Sequence, residues 1–277
     1  MNARSTPYRL AWIWCLALIA LTVVAFWPGY LSRLGQAAIT SHAHSVTATA
    51  WMLLLAMQSW SIDRGKRSQH RSLGLAIFVL VPLFASGGAG AVHSMAAETA
   101  SGDDPFYNMW GPSLGTYDLV ASLGFIALTA MALKDRRCVA RHAAWLLATP
   151  LLLVGPVLSR VYPRFLFDFV LQWPRDFALF RWGIHLGALT AIAVSLWLWR
   201  RNRQDGGPWL VVAAINLAQM VLFETLGFLP AWKVAFVAFG GIPVAIHALA
   251  AALLASAALW WGWQAAPGRP RRTPATL

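Results

Sequence analysis

Eight apolar stretches dominate the sequence, and each has the length, about 20 residues, that a helix needs to cross the hydrocarbon core of a bilayer. They cover 8–27, 37–60, 73–95, 115–133, 142–161, 180–199, 208–229 and 234–263. A helix satisfies its own backbone hydrogen bonds in lipid. We therefore predict an all-α fold, a polytopic transmembrane helix bundle of about eight spans over residues 1–265. Residues 266–277 are expected to form a disordered basic cytoplasmic tail.

The composition agrees with a membrane protein. Hydrophobic residues make up 58% of the chain and charged residues 12%, against about 25% charged in soluble domains. The net charge of +12 is divided into short clusters between apolar stretches, which is the pattern that orients membrane proteins. A lipid bilayer is therefore the expected partner, and nucleic acid is not.

The basic residues also predict the orientation. With the amino terminus inside, 16 Lys and Arg residues fall on the cytoplasmic side and six outside. Both termini are therefore expected in the cytoplasm, and the location is expected to be the bacterial inner membrane. The loop ETASGDDPFYNMWGPS has acids and no basic residue, as an outer loop should. Residues 162–179 are too interrupted by Pro, Arg and Asp to span, so they are expected to form an amphipathic element on the outer surface.

A polar and aromatic stripe runs along the stretch 37–60. His44, Trp51 and Gln58 are spaced by seven, and residues seven apart on a helix recur on nearly the same face. Polar side chains are costly on a helix face that contacts lipid. The stripe is expected to face protein, a cofactor or a cavity.

Histidines are the residues that could bind a cofactor. His70 and His142 each lie beside an arginine at the predicted inner ends of helices. They are either interfacial residues or the two axial ligands of a haem, with the arginines pairing with its propionates. His44 and His93 lie toward the outer side, and the run ASGGAGAVHS before His93 would let a helix or a flat macrocycle approach closely.

Other polar residues allow further interpretations. His42 and His44, with Glu98 or Asp103, could hold a transition metal at the outer face, although on a helix these two rings point apart. Polar residues within or beside the later spans could form interhelical bonds, a surface pair or a proton or substrate path: Asp118, Asp176, Arg181, His185, Asn216, Gln219, Glu224 and a deeply placed His247.

Several enzyme motifs are absent from the sequence. It contains no Walker loop, GxGxxG, HExxH or GxSxG motif. Cys15 and Cys138 form no CxxCH motif, so c-type haem attachment is not indicated. No catalytic residue is assigned, and a redox role would need an external electron donor.

Three motifs carry a resemblance to known proteins over residues 37–161. The His44…Trp51…Gln58 helix, the His70-Arg71-x-Leu73-Gly74 turn and Arg141-His142…Leu146-Leu147-Ala148-Thr149…Arg160 resemble a group of uncharacterised bacterial inner-membrane proteins. That group is similar to the membrane di-haem cytochrome b superfamily, which includes ascorbate-reducible cytochromes b and ferric reductases.

The resemblance implies which residues would bind haem. In those cytochromes, one haem lies between the second and fourth core helices and the other between the third and fifth. His70 and His142 match the second pair. His44 matches one side of the first pair, but the stretch 115–133 has no histidine, so His93 or His185 would have to substitute.

The sequence thus leaves three functions open. The leading expectation is a protein that binds haem b and transfers electrons across or within the membrane, using His70, His142, His44 and His93 and a redox partner. A non-redox transporter or partner subunit with a polar intramembrane cavity is the first alternative. The other is a metal-binding enzyme at the outer face.

Overall fold

The computed structural model describes residues 8–166 and 176–267. All regular structure in these residues is helical. The helices are α1 (Ala11–Phe26), α2 (Ile39–Asp63), α3 (Arg67–Gly74), α4 (Ile77–Ser101), α5 (Pro105–Lys134), α6 (Val139–Ala148), α7 (Leu151–Leu166), α8 (Phe177–Arg201), α9 (Gly207–Glu224), α10 (Pro230–Gly240) and α11 (Val244–Gln264). Short 3₁₀ turns occur at Leu31–Gln36 and Leu226–Phe228.

Helix α5 is the centre of the bundle, since it packs against α4, α6, α9, α10 and α11. Helix α2 packs between α1 and α4, while α7 packs between α1 and α8. Small residues permit close approaches: a Cβ on Gly187 of α8 would lie 2.7 Å from the Gly155 carbonyl oxygen of α7.

Six helical stretches are long and apolar enough to cross a membrane: Ile77–Ser101, Pro105–Lys134, Val139–Phe165, Leu179–Arg201, Gly207–Phe228 and Val244–Gln264. Helix α1 is apolar but has only 16 residues. Helix α2 is 25 residues long, and its many Ser, Thr and His residues lower its mean hydropathy. The chain is therefore a helical membrane protein in which six spans are evident by length and composition.

Contacts define two ends of the bundle. At one end, which we call the inner end, the Arg9 guanidinium bonds the Asp63 carboxylate at 2.9 Å and Arg136 donates to the Trp263 carbonyl at 2.6 Å. At the outer end, Trp110 donates to the Phe177 carbonyl at 2.8 Å. Both ends thus join residues from distant parts of the chain.

Helix α5 begins ten residues before the predicted 115, so the predicted start is wrong. Asp104 caps the helix by accepting from the Phe106 amide at 2.8 Å, and Pro105 occupies its first turn. Proline fits there because its missing N–H would have no helical partner. Most of the predicted outer loop is therefore helix, and Asp118 lies in the middle of α5 instead of at its start.

Two predicted spans are interrupted. The stretch predicted as 142–161 is divided between α6 and α7 at Thr149–Pro150, and the stretch 234–263 is divided between α10 and α11. Both breaks precede or contain a proline, which cannot donate the backbone hydrogen bond that continues a helix. His247, predicted to lie deep in its span, instead lies in the first turn of α11.

The predicted outer-surface element at 162–179 is only partly within the described residues. Its first residues belong to α7 and its last ones to α8, while 167–175 lie outside the described part. The predicted tail also lies almost entirely outside it.

The orientation of the bundle stays a prediction from the basic residues. A reporter that works only in the cytoplasm should be active when fused after Leu277. A reporter that works only outside should be active when inserted at Gly102, in the turn before α5. The converse result at both positions would exchange the inner and outer sides.

Candidate functional site

The inner end of the α2 stripe contacts α3. Gln58 is 8% exposed, and its side-chain nitrogen lies 3.5 Å from where a Cβ on Gly74 would be. His70 and Gly74 are four residues apart and share one face of α3. The backbone of Gln58 also lies within reach of the His70 ring. The stripe on α2 and the His-Arg-x-Leu-Gly motif on α3 therefore contact each other.

His70 is held in its neutral form. Burial lowers the pKa of His70 and the charge of Arg71 acts in the same direction, although the Gln58 backbone partly offsets them. Its Nδ1 is shielded from solvent and has no hydrogen-bond partner within the described residues. A neutral imidazole is the form that binds metals.

His142 faces the same region from α6. Its Nδ1 lies 2.8 Å from the Ala132 carbonyl oxygen of α5, which fixes Nδ1 as the donor and leaves Nε2 with its lone pair free. His142 and His70 lie close enough for their charges to interact. These are the two histidines that the resemblance pairs.

The centre of the α2 stripe is buried, as predicted. Trp51 is 1% exposed, and its Nε1 donates to the Thr149 hydroxyl at 2.9 Å. Its ring packs edge-on against Phe125 with 5.1 Å between centroids. Thr149 belongs to the third sequence motif, so Trp51 joins the first motif to the third.

The neighbours of Trp51 on α2 differ in exposure. Leu54 is buried, whereas Leu53 and Met57 are each 44% exposed. In a variant without Cys15 and Cys138, cysteines at Leu54 and Gln58 should react slowly with a lipid-soluble thiol reagent. Cysteines at Leu53 and Met57 should react faster, because they lie on the opposite face. Equal labelling rates at all four positions would mean that the stripe faces lipid.

His44, at the outer end of the stripe, packs against α4. Its ring stacks on Phe84 with 5.4 Å between centroids, and a Cβ on Gly87 would lie 2.9 Å from the His44 Cα. Its Nδ1 is shielded and has no partner within the described chain. The small residues before His93 thus allow α2 to approach.

His93 contacts α10 and α11 instead of the His44 ring. Its Nε2 lies 3.0 Å from the Ile242 carbonyl oxygen, and its ring lies 5.5 Å from that of His247. His247 in turn reaches the Phe239 carbonyl oxygen at 3.0 Å. The two histidines therefore satisfy carbonyls at the end of α10, a site that sequence spacing could not reveal.

At the outer end, Glu224 connects α9 to α8. Its carboxylate lies 2.6 Å from the His185 Nε2 and 3.9 Å from the Arg181 guanidinium. Glu224 is thus a partner of both basic residues of α8. This arrangement makes His185 part of a structural contact between α8 and α9.

Shielded polar atoms without partners occur on α5 and α9. Gln219 is fully buried, and its nitrogen donates to the Tyr117 carbonyl at 3.1 Å. The Gln219 Oε1, the Tyr117 hydroxyl and the Asn216 Oδ1 are shielded and unpaired within the described residues. Buried polar groups of this kind call for internal water. Asn216 bonds its own helix at Val212, and not the His247 that was expected near it.

Charged side chains at the inner end form a structural cluster. Arg141 lies 3.8 Å from Asp135 and 4.0 Å from Asp205, and Asp135 also accepts from the Trp145 Nε1 at 2.9 Å. Arg141 is therefore already engaged. Of the arginines beside the two inner histidines, Arg71 is the one left for another anion.

The described residues contain no cluster that would support a metal site at the outer face. Within residues 8–166 and 176–267, no group of three or more His, Cys, Asp or Glu side chains is arranged to hold a metal ion. His42 lies 2.8 Å from the Tyr30 hydroxyl, while His44 stacks on Phe84. The two rings of the His-x-His sequence therefore have different surroundings.

No family model, curated protein or solved structure matches the chain. Function can therefore be argued only from the residues and their geometry.

Proposed function

We propose that this protein binds haem b at its inner end, with His70 and His142 as the axial ligands, and transfers electrons within or across the membrane. The observation that carries the proposal is that these two histidines lie within electrostatic range of each other. They come from separate helices, and the His142 Nδ1 is occupied by a backbone carbonyl. That bond is the usual means of orienting a ligating imidazole.

The residues present fit the chemistry of such a group. Two imidazoles are a common axial set for b-type haem, and the lowered pKa of His70 keeps its ring neutral at pH 7. Arg71 would pair with a propionate, since Arg141 is held by two carboxylates. When bound, the haem would supply reversible one-electron transfer. Acidification through the lowered pKa of His70 should weaken binding, because a protonated ring cannot ligate iron.

The rest of the α2 face supports the inner site. Trp51 and its bond to Thr149 lie between the inner and outer histidines, so α6, which carries His142, is fixed relative to α2. The absence of a nucleotide motif from the sequence requires an external redox partner as electron donor. The distribution of basic residues favours the bacterial inner membrane.

The absorption spectrum of the purified protein tests the proposal. Protein made with a haem precursor in the medium should show a Soret band, and reduction with dithionite should give the sharp α band of low-spin haem b. A pyridine haemochrome assay should give a haem-to-protein ratio close to unity. A colourless protein under these conditions would overturn the proposal.

A second candidate function is a membrane protein with a polar intramembrane cavity, such as a transporter or a partner subunit. The unpaired atoms of Tyr117, Asn216 and Gln219 favour it. If they face internal water, replacing Gln219 by Leu should change the spectrum of a haem protein little. It should alter transport or partner binding instead.

A further inference from the structure

Two residues of opposite charge face the same region between α5 and α7, away from the inner histidines. Asp118 lies in the middle of α5, and Arg160 lies on α7. Charged side chains within membrane spans are costly and mark functional sites by default. Neither residue takes part in the proposed haem site.

Several contacts place the Arg160 guanidinium at the depth of the centre of α5. The side chain turns back along its helix, so that Nη1 donates to the Pro156 carbonyl at 2.8 Å. The adjacent residue Gly155 lies against the Tyr117 hydroxyl, since a Cβ on Gly155 would overlap that oxygen. Tyr117 is the neighbour of Asp118 in the chain. The guanidinium and the carboxylate are therefore at a similar depth.

The two charges interact electrostatically without forming a direct ion pair. Asp118 and Arg160 are within electrostatic range, but no ion pair within 4.0 Å joins them in the described part of the chain. The only described hydrogen-bond acceptors of the guanidinium lie on its own helix, at Pro156 and Ser159. Opposite charges that are not paired with each other in a span are both available to a further charged group.

The Arg160 guanidinium is held in place by an aromatic ring of α1. Arg160 is exposed and Asp118 is half-buried. The Arg160 guanidinium lies 4.3 Å from the centroid of the Phe26 ring of α1, a cation–π contact that fixes its position. Tyr107, near the outer start of α5, interacts electrostatically with both charges. Both charges therefore lie toward the outer part of α5, the side from which a ligand would enter.

We propose that Asp118 and Arg160 form a binding site, reached from the outer side, for a small zwitterion such as an α-amino acid. The ammonium group would pair with the Asp118 carboxylate, and the ligand carboxylate would pair with the Arg160 guanidinium. A ligand with a single charge would leave the other protein charge unmatched in a poorly solvated site, which is costly. A zwitterion matches both charges.

Thermal unfolding of the purified full-length protein in detergent tests this site. The probes are glycine, alanine and glutamine, each as the free amino acid, the methyl ester and the N-acetyl derivative. A ligand that binds only the folded state raises the unfolding temperature. The free amino acids should raise it, whereas the esters, which lack the negative charge, and the acetyl forms, which lack the positive charge, should not.

Matched variants identify the residues. Asp118→Asn and Arg160→Gln keep the side-chain shape or length, and each should weaken amino-acid binding by at least tenfold. Asp103→Asn and Arg164→Gln, at exposed outer positions, should bind as the wild type does. If a site variant fails to fold, the comparison of the three ligand forms on the wild type still shows whether binding needs both ligand charges.

Three results would overturn the proposal. These are no stabilisation by any free amino acid, equal stabilisation by the esters or acetyl forms, and wild-type binding by the folded Asp118 and Arg160 variants. The experiment does not depend on haem, since His70→Ala should leave the amino-acid effect intact even if it removes the cofactor.

Discussion

Replacing His142 by alanine should remove the haem or convert its spectrum from low-spin to high-spin. The substitution deletes one of two proposed axial ligands and also the bond from Nδ1 to the Ala132 carbonyl. His70→Ala should have the same effect, because a single remaining imidazole leaves the iron five-coordinate or unbound. Haem content and the spectra of both variants, measured beside the wild type, give the result.

His185→Ala is the matched control for these variants. His185 bonds Glu224 at the outer end of α8, and a helix of about 20 residues places that end roughly 30 Å from the inner histidines. Its removal should leave the spectrum unchanged. Wild-type spectra in both His70→Ala and His142→Ala would refute their assignment as ligands, and the polar-cavity function would then be favoured.

Trp51→Ala should destabilise the fold by about 3–5 kcal/mol, the usual cost of removing a buried tryptophan. Trp51 is fully buried, packs against Phe125 and donates to Thr149. The substitution leaves a cavity at the junction of α2, α5 and α6. Unfolding by a denaturing detergent, followed by circular dichroism, measures the loss.

Two variants separate the contribution of the Trp51 hydrogen bond from that of the cavity. Thr149→Val removes only the acceptor of the Trp51 hydrogen bond and should cost about 1 kcal/mol. Trp14→Ala, at a position that is 73% exposed, should cost much less than Trp51→Ala because it opens no cavity. Equal losses for Trp14→Ala and Trp51→Ala would mean that Trp51 does not join these helices.

The general fold could be predicted because apolar length is a local property. Every predicted span corresponds to helical structure, and the α2 stripe has Trp51 and Gln58 buried. Helix ends were harder to predict where polar and small residues mask a continuing helix. Just before α5, Gly102 adopts a positive φ of 77° and ends α4. Asp104 and Pro105 then start α5 at once, within what was expected to be a loop.

Contacts between helices could be predicted only in part. His70 and His142 lie within electrostatic range of each other, whereas the contact of His93 with His247 depends on the break between α10 and α11. Asp118 and Arg160 were visible as isolated charges. Their proximity could not be predicted, because the predicted span 115–133 puts Asp118 near a helix start. The rotation of α7 about its axis is also set by tertiary packing.

The close approach of α7 and α8 has a mechanical consequence. Where Gly187 meets Gly155, the two backbones touch without side chains between them, and Gly183 lies in the same way against Ser159. Such a contact leaves no layer that could slide or repack. We therefore expect the two helices to move together. Any displacement of Arg160 on α7 would carry His185 on α8 with it and pull on the Glu224 carboxylate of α9.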